Sequence, residues 1–200
     1  ERLRVAMLLS LFTGARMGEV LALGWGDLNA KKRTIRINKD LERVQLFDDP
    51  SGKKTELILQ ETPKSKTSNR ETPVYENIWQ LLMFHQQVQL HEGHPNPQNL
   101  IFPSKRGTYT DPRTYQKRVQ AVCKRCELQG VNVHALRHTF ATRLMEQNVP
   151  IRIIQNLMGH ASIVTTEKYS HVLDDEKRKT INRMSGFLPG TEEPKRDTPQ

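Results

Sequence analysis

No stretch of this chain approaches the roughly 18 consecutive apolar residues that a membrane-spanning helix needs. The run VAMLLSLF, from Val5 to Phe12, is far too short, and no small-residue cleavage site follows it, so it is not read as a signal peptide. Cysteine is almost missing: Cys123 and Cys126 form a single CKRC. A lone C-x-x-C has no second pair with which to hold zinc. Its i, i+3 spacing inside a helical pattern reads as two ordinary helix residues in a reduced, intracellular protein. Acidic residues are scarce, with 22 Asp and Glu against 31 Lys and Arg, a formal charge of +9. That balance favours polyanions, nucleic acid ahead of an anionic membrane surface, with a merely basic surface as the plain alternative. There is no internal repeat.

What is present suffices for one globular domain. The 200 residues are 36% hydrophobic, with two Trp and six Phe, enough to bury a core. The opening ERLRVAMLLSLF reads as a helix already under way, broken at Thr13-Gly14 and restarted by RMGEVLAL. From Arg33 the period becomes two, through RTIRINKDLERVQLF, TELILQETPKSKT and SNRETPV, which predicts one small antiparallel sheet. A helix over YENIWQLLMFHQQVQLHEG follows, then a loop with a short extended LIF. A basic helix over RTYQKRVQAVCKRCELQG closes on Gly130. Helices over HALRHTFATRLM, VPIRIIQNLMGH and SIVTTEKYSHVLDDEKRKTINRM complete the chain before a polar tail. The expected class is α+β, mainly α-helical with a small antiparallel β-sheet.

HALRHTFATRLM concentrates cations where an apolar helix is expected. On a helical wheel His134, Arg137, His138 and Ala141 share a stripe, with Leu136, Phe140 and Leu144 beside it on the buried face. A metal site is disfavoured: Ala135 stands where a zincin helix carries its general-base glutamate, and Arg137 would repel a divalent cation. His138 by itself reads as a satisfied core histidine. A phosphate site needs guanidinium donors converging on one anion, and Arg137 with His134 can supply part of it. Arg16 is a second candidate, just after the Thr-Gly break at a helix start, where unpaired N–H groups favour anions. Glu19, one turn on, is expected to pair with an arginine and orient it. The lysines of TPKSKTSNR read as ordinary turn chemistry. Gly159 ends a helix with His160 at its exit, and nothing in the periodicity singles out Tyr169 among the four tyrosines.

The ordered series TGARMGEVLAL, PKSKTSNRETPV, HALRHTFAT, LMGH and a tyrosine nine residues after that histidine resembles the catalytic domain of the tyrosine recombinases, the integrase family. The likeness covers about residues 1 to 185. It implies that Arg16 and Arg137 clamp a scissile DNA phosphate. It also implies that His134 donates to a phosphate oxygen or accepts the tyrosine proton, and that His160 supports the phosphate and the nucleophile. Tyr169 would be the nucleophile, forming a 3′-phosphotyrosine and freeing a 5′-hydroxyl. Aligned without gaps on the family's hairpin turn, Lys64 falls on the general-acid lysine that protonates the leaving oxygen, with Lys66 as its rival. No nucleotide cofactor is expected, because the phosphotyrosine bond conserves the energy for rejoining, and no metal, because two arginines and the lysine replace it electrostatically.

The resemblance implies site-specific recombination of double-stranded DNA, in the style of integrases of phages and conjugative transposons. Such proteins carry N-terminal core-binding and arm-binding domains, which the expectation treats as missing here. It takes 1–185 as the catalytic domain and 186–200 as a flexible tail. It further implies a tetramer on DNA that exchanges segment 174–188 in trans, an accessory excisionase, and a cytoplasmic, nucleoid-associated location without membrane contact. Two rivals stay open: a type IB topoisomerase, and a non-catalytic DNA-binding module.

Overall fold

A computed structural model describes residues 2–47, 54–61 and 69–159. The first helix, α1 (Arg2–Thr13), turns Val5, Ala6, Leu9, Ser10 and Thr13 inward as two adjacent stripes. It is the central element, packed against α2 (Met17–Leu21), α3 (Glu76–Glu92), α4 (Pro112–Arg125) and α5 (Val133–Glu146). Gly14 ends it at φ +66°, a left-handed geometry that an L side chain adopts only with strain, and its N–H donates to the Ser10 carbonyl at 3.0 Å. A β-carbon on Gly14 would also lie 2.4 Å from the Phe140 ring. The break read at Thr13-Gly14 is therefore a turn that brings α5 against α1.

The period-two region forms two sheets rather than the single sheet expected. β1 (Leu28–Asn29), β2 (Thr34–Ile37) and β5 (Arg70–Pro73) make an antiparallel sheet in the order β1-β2-β5, with Ile37 opposite Arg70. β3 (Asp40–Gln45) and β4 (Thr55–Gln60) pair separately, Asp40 opposite Gln60. The pattern is continuous across Asn38 and Lys39, but β2 takes β5 as partner and β3 takes β4. Alternation identifies strands and says nothing of their partners. LIF contributes only a bridge, Gly24 to Leu100.

In α3, Ile78, Leu82, His85 and Gln89 recur at helical spacing and are buried. Asp111 caps α4, accepting the Arg113 N–H at 2.8 Å, with Pro112 in the first turn. That helix stops at Arg125 rather than running to Gly130, because Glu127 takes φ +58°. Cys123 is buried within it and Cys126 is exposed at its end, both as free thiols. Asn132 caps α5 by accepting the His134 N–H at 2.9 Å. The last described helix, α6 (Ile151–Met158), ends at Gly159. The mainly helical architecture with small antiparallel sheets holds, and among the described residues no helix is long and apolar enough to cross a membrane.

The buried side chains fall into two groups. A large core joins α1, α2, α3, α4 and β2, with Leu9, Leu21, Ile35, Leu82 and Phe102 fully enclosed. A small one joins α5 to α6 through Ala141, Met145, Ile154 and Met158. The candidate site lies on the seam between them.

Candidate active site

Arg137 is 7% exposed although it is an arginine. Its Nη1 donates to the Gly14 carbonyl at 2.5 Å and its Nη2 to the Met158 carbonyl at 2.6 Å. One guanidinium therefore joins the end of α1 to the end of α6. The cation sits well at a helix C-terminus, where the last carbonyls lack partners and carry partial negative charge. The buried stripe of α5 is Arg137, Ala141 and Met145. This corrects the wheel, which set Arg137 at the margin: Leu136, Phe140 and Leu144 are only partly buried. It also corrects His138 as a core histidine. One residue past Arg137 is about 100° round the helix, and His138 is exposed there, lining a groove with His134, Thr142 and Arg143.

Arg16 occupies the cap position of α2, two residues after the carbonyl that Arg137 grips. Its backbone N–H donates to Glu19 Oε2 at 2.7 Å and its Nη1 to Glu19 Oε1 at 3.0 Å. The side chain remains 37% exposed while Glu19 is 4% exposed. Glu19 thus orients Arg16, as expected, but a second arginine shares it. Arg70, at the start of β5, meets Glu19 as a fork, Nη1 to Oε1 at 3.0 Å and Nη2 to Oε2 at 2.8 Å. Its Nε donates to the Leu157 carbonyl at 2.8 Å, the residue before Arg137's own acceptor. Burial alone would push the Glu19 carboxyl up. Arg70 first, by hydrogen bond and charge, and then Arg16 outweigh burial and hold it below the usual 4.5.

The local sequence explains why this seam can form. Gly18 admits no side chain, since a β-carbon would lie 2.0 Å from an Asp40 carboxylate oxygen and 2.6 Å from the Leu41 carbonyl. The close approach of α2 to β3 brings Glu19 in from the surface. Of the anticipated residues, Arg137 holds the Gly14 carbonyl, and Arg16 stands two residues further on, held by Glu19. His134 is exposed on the first turn of α5, three positions before Arg137. Lys64, Lys66, His160 and Tyr169 lie outside the described residues. Among the described residues no group of three or more His, Cys, Asp or Glu could hold a metal ion.

Arg70 is the buried charged residue of this seam that sequence reasoning missed. Its partner Glu19 is 51 positions away, and no local period links the two. The only available signal was Glu19 itself, a carboxylate in the apolar stretch MGEVLAL that needs a counter-charge if buried.

The model of the phage integrase family matches residues 1–176, and the chain belongs to this family of tyrosine recombinases. It is 28% identical over 197 residues to a tyrosine recombinase XerC-like protein of Caldanaerobacter subterraneus subsp. tengcongensis, covering 94% of this chain and 50% of that one. It is 25% identical to an integrase of Saccharopolyspora erythraea, covering 94% of this chain and 54% of that one. The chain thus spans about half the length of these relatives. Among solved structures it resembles the Tn1549 transposon integrase in complex with circular intermediate DNA, at a TM-score of 0.71 and 24% identity over 90% of this chain and 59% of that one. It also resembles XerA recombinase, at 0.66 and 25%, over 96% and 60%. The fold is that of a tyrosine recombinase catalytic domain.

Proposed function

We propose that this chain is the catalytic part of a site-specific DNA recombinase, serving integration and excision of a mobile element such as a conjugative transposon. The observation that carries the reading is the fixing of two arginines at one helix break: Arg137 holds the Gly14 carbonyl, and Arg16, two residues on, is held by Glu19. Preorganised guanidiniums suit a phosphate whose charge grows in the transition state, and they need no reorganisation as it does so.

In this reading the Tyr169 oxygen attacks the scissile phosphorus in line. The bond from phosphorus to the 5′-oxygen breaks, leaving a 3′-phosphotyrosine. His134 takes the tyrosine proton or donates to a phosphate oxygen, and His160 supports the phosphate beside them. Lys64, with Lys66 as the rival, gives the 5′-oxygen its proton. Attack by a 5′-hydroxyl on the phosphotyrosine reverses the steps and rejoins the strand, so no nucleotide is consumed. The +9 charge suits a DNA backbone as partner. The solved Tn1549 integrase complex with DNA supports that choice. The working form is a tetramer on DNA in the bacterial cytoplasm, at the nucleoid, with segment 174–188 exchanged between neighbours and an excisionase setting direction. Residues 1–185 act as the catalytic domain and 186–200 as a tail.

The test is covalent trapping on a randomised pool of nicked duplexes, comparing wild type with Tyr169→Phe and mapping the DNA-linked peptide by mass spectrometry. An adduct on Tyr169, absent from the Phe variant, is expected. An adduct that persists in Tyr169→Phe would sink the assignment. DNA binding without any adduct would favour the non-catalytic module. Plasmid relaxation by a lone chain with no partner site would favour the topoisomerase.

A further inference from the structure

Arg70 is a costly residue to place where it is. A guanidinium 7% exposed is kept only where fixed acceptors replace the water it loses. Arg70 has them on two sides: both oxygens of Glu19 and the Leu157 carbonyl at the end of α6. Its backbone is anchored as well, opposite Ile37 in the sheet. Lys64 and Lys66 precede it by six and four residues. One side chain therefore ties together the carboxylate that orients Arg16, the strand that follows the lysines in sequence, and the helix end directly before Gly159 and His160.

We infer that Arg70 is a positioning residue for strand cleavage: it fixes Glu19, and through Glu19 the Arg16 guanidinium, while holding the end of α6 against β5. The inference rests on the recombinase reading above. Arg70 acts through other groups: its Nη1 and Nη2 donate to Glu19 and its Nε to the Leu157 carbonyl. Only arginine suits the position. Its planar fork spans both carboxylate oxygens while the third nitrogen reaches the carbonyl, and a lysine ammonium cannot do both.

The experiment compares wild type with Arg70→Gln, Arg70→Lys, Glu19→Gln and the Arg70→Gln/Glu19→Gln double variant in the full chain. Two readouts are taken: single-turnover adduct formation on nicked DNA across protein concentrations, and amide hydrogen exchange without DNA. Arg70→Gln is expected to lower the saturating cleavage rate about 100-fold, the scale of a misplaced reacting group. The half-saturating concentration should move by no more than roughly threefold, the split of a residue that serves the chemical step rather than binding. Arg70→Lys should recover little. The double variant should be no slower than the slower single variant, because both substitutions break one linkage. Exchange should quicken at the Arg16 amide, which donates to Glu19, and at the end of α6.

Losses that multiply in the double variant, or exchange unchanged at both places in Arg70→Gln, overturn the inference. A wild type that forms no adduct fails the recombinase reading instead. The exchange comparison then still decides whether Arg70 fixes Glu19 and α6.

Discussion

The two cores of this domain are built on different terms. Among the described residues, twenty buried apolar side chains from α1, α2, α3, α4, the strands and the segments between them make up the larger, and four make up the smaller, from α5 and α6. The larger is closed by apolar contact, so its stability grows with the area removed from water. The smaller, among the described residues, buries fewer side chains, with Phe140, Leu144, Val149 and Ile151 partly buried against them. Beside the packing of Val133 and Leu136 on the large core, it is fastened to its neighbour by charged hydrogen bonds, from Arg137 to Gly14 and Met158 and from Arg70 to Glu19 and Leu157. Area sets the fold in one region and polar staples set a geometry in the other. A site that must grip an anion would gain from the second arrangement, because hydrogen bonds fix the direction of a side chain where apolar contact does not.

The strongest way to break this comparison is to remove a staple. Arg137→Met keeps an unbranched apolar stem and leaves the Gly14 and Met158 carbonyls without their donors. Two charged hydrogen bonds lost from a buried place should cost about 3–5 kcal/mol in urea unfolding. Cleavage per folded molecule should fall at least about 100-fold, as for loss of a transition-state donor. Unchanged stability alongside lost cleavage would show that Arg137 serves chemistry alone, and that the small core is held some other way.

The next sharpens it. Leu9 and Ile154 are each fully buried, one in each core. Truncation of either to alanine should cost about 2–5 kcal/mol, but the cost should be distributed differently. Leu9→Ala should lower amide protection across α1 to α4 together. Ile154→Ala should release α6 and the end of α5 while α1 and α3 keep their protection, as expected of a separate cooperative unit. Equal loosening everywhere would mean one core, not two.

Much of this was legible in the sequence, for reasons that differ by element. α1, α3 and α4 announce themselves because their buried positions recur at helical spacing, and Asp111 and Asn132 are recognisable caps. The turn at Gly14 and the place of Arg16 at a helix start were readable because glycine and capping act locally. Sheet partnership was not, since the continuous alternation across Asn38 and Lys39 hides the change of partner. The face of α5 was misjudged for a related reason. A wheel ranks side chains by apolarity, and Arg137 is buried by two carbonyls contributed from α1 and α6. Arg70 was invisible because its value lies wholly in contacts 51 and 87 positions away.

The smallest expected effect probes the large core with protons. Tyr115 is fully buried on α4, its hydroxyl 3.2 Å from the Ser10 hydroxyl on α1. Burial pushes the phenol up to about 12, with the Ser10 hydrogen bond pulling the other way. The unfolded chain ionises near 10, so the folded state holds the proton more tightly between these values. The contribution is complete below pH 10 and is lost as pH rises from 10 to 12, by about 3 kcal/mol in all. At neutral pH Tyr115→Phe should cost only about 1 kcal/mol, one hydrogen bond. Between pH 10 and 12 its stability should fall less than that of wild type, and the difference between the two curves isolates Tyr115 from the other tyrosines. Glu19 gives the opposite sign in the seam: its contribution is complete above 4.5 and is lost as pH falls through its lowered value. Parallel alkaline curves for wild type and Tyr115→Phe would mean that the large core does not keep the phenol dry, and the contrast between an apolar core and a charged seam would lose its clearest electrostatic sign.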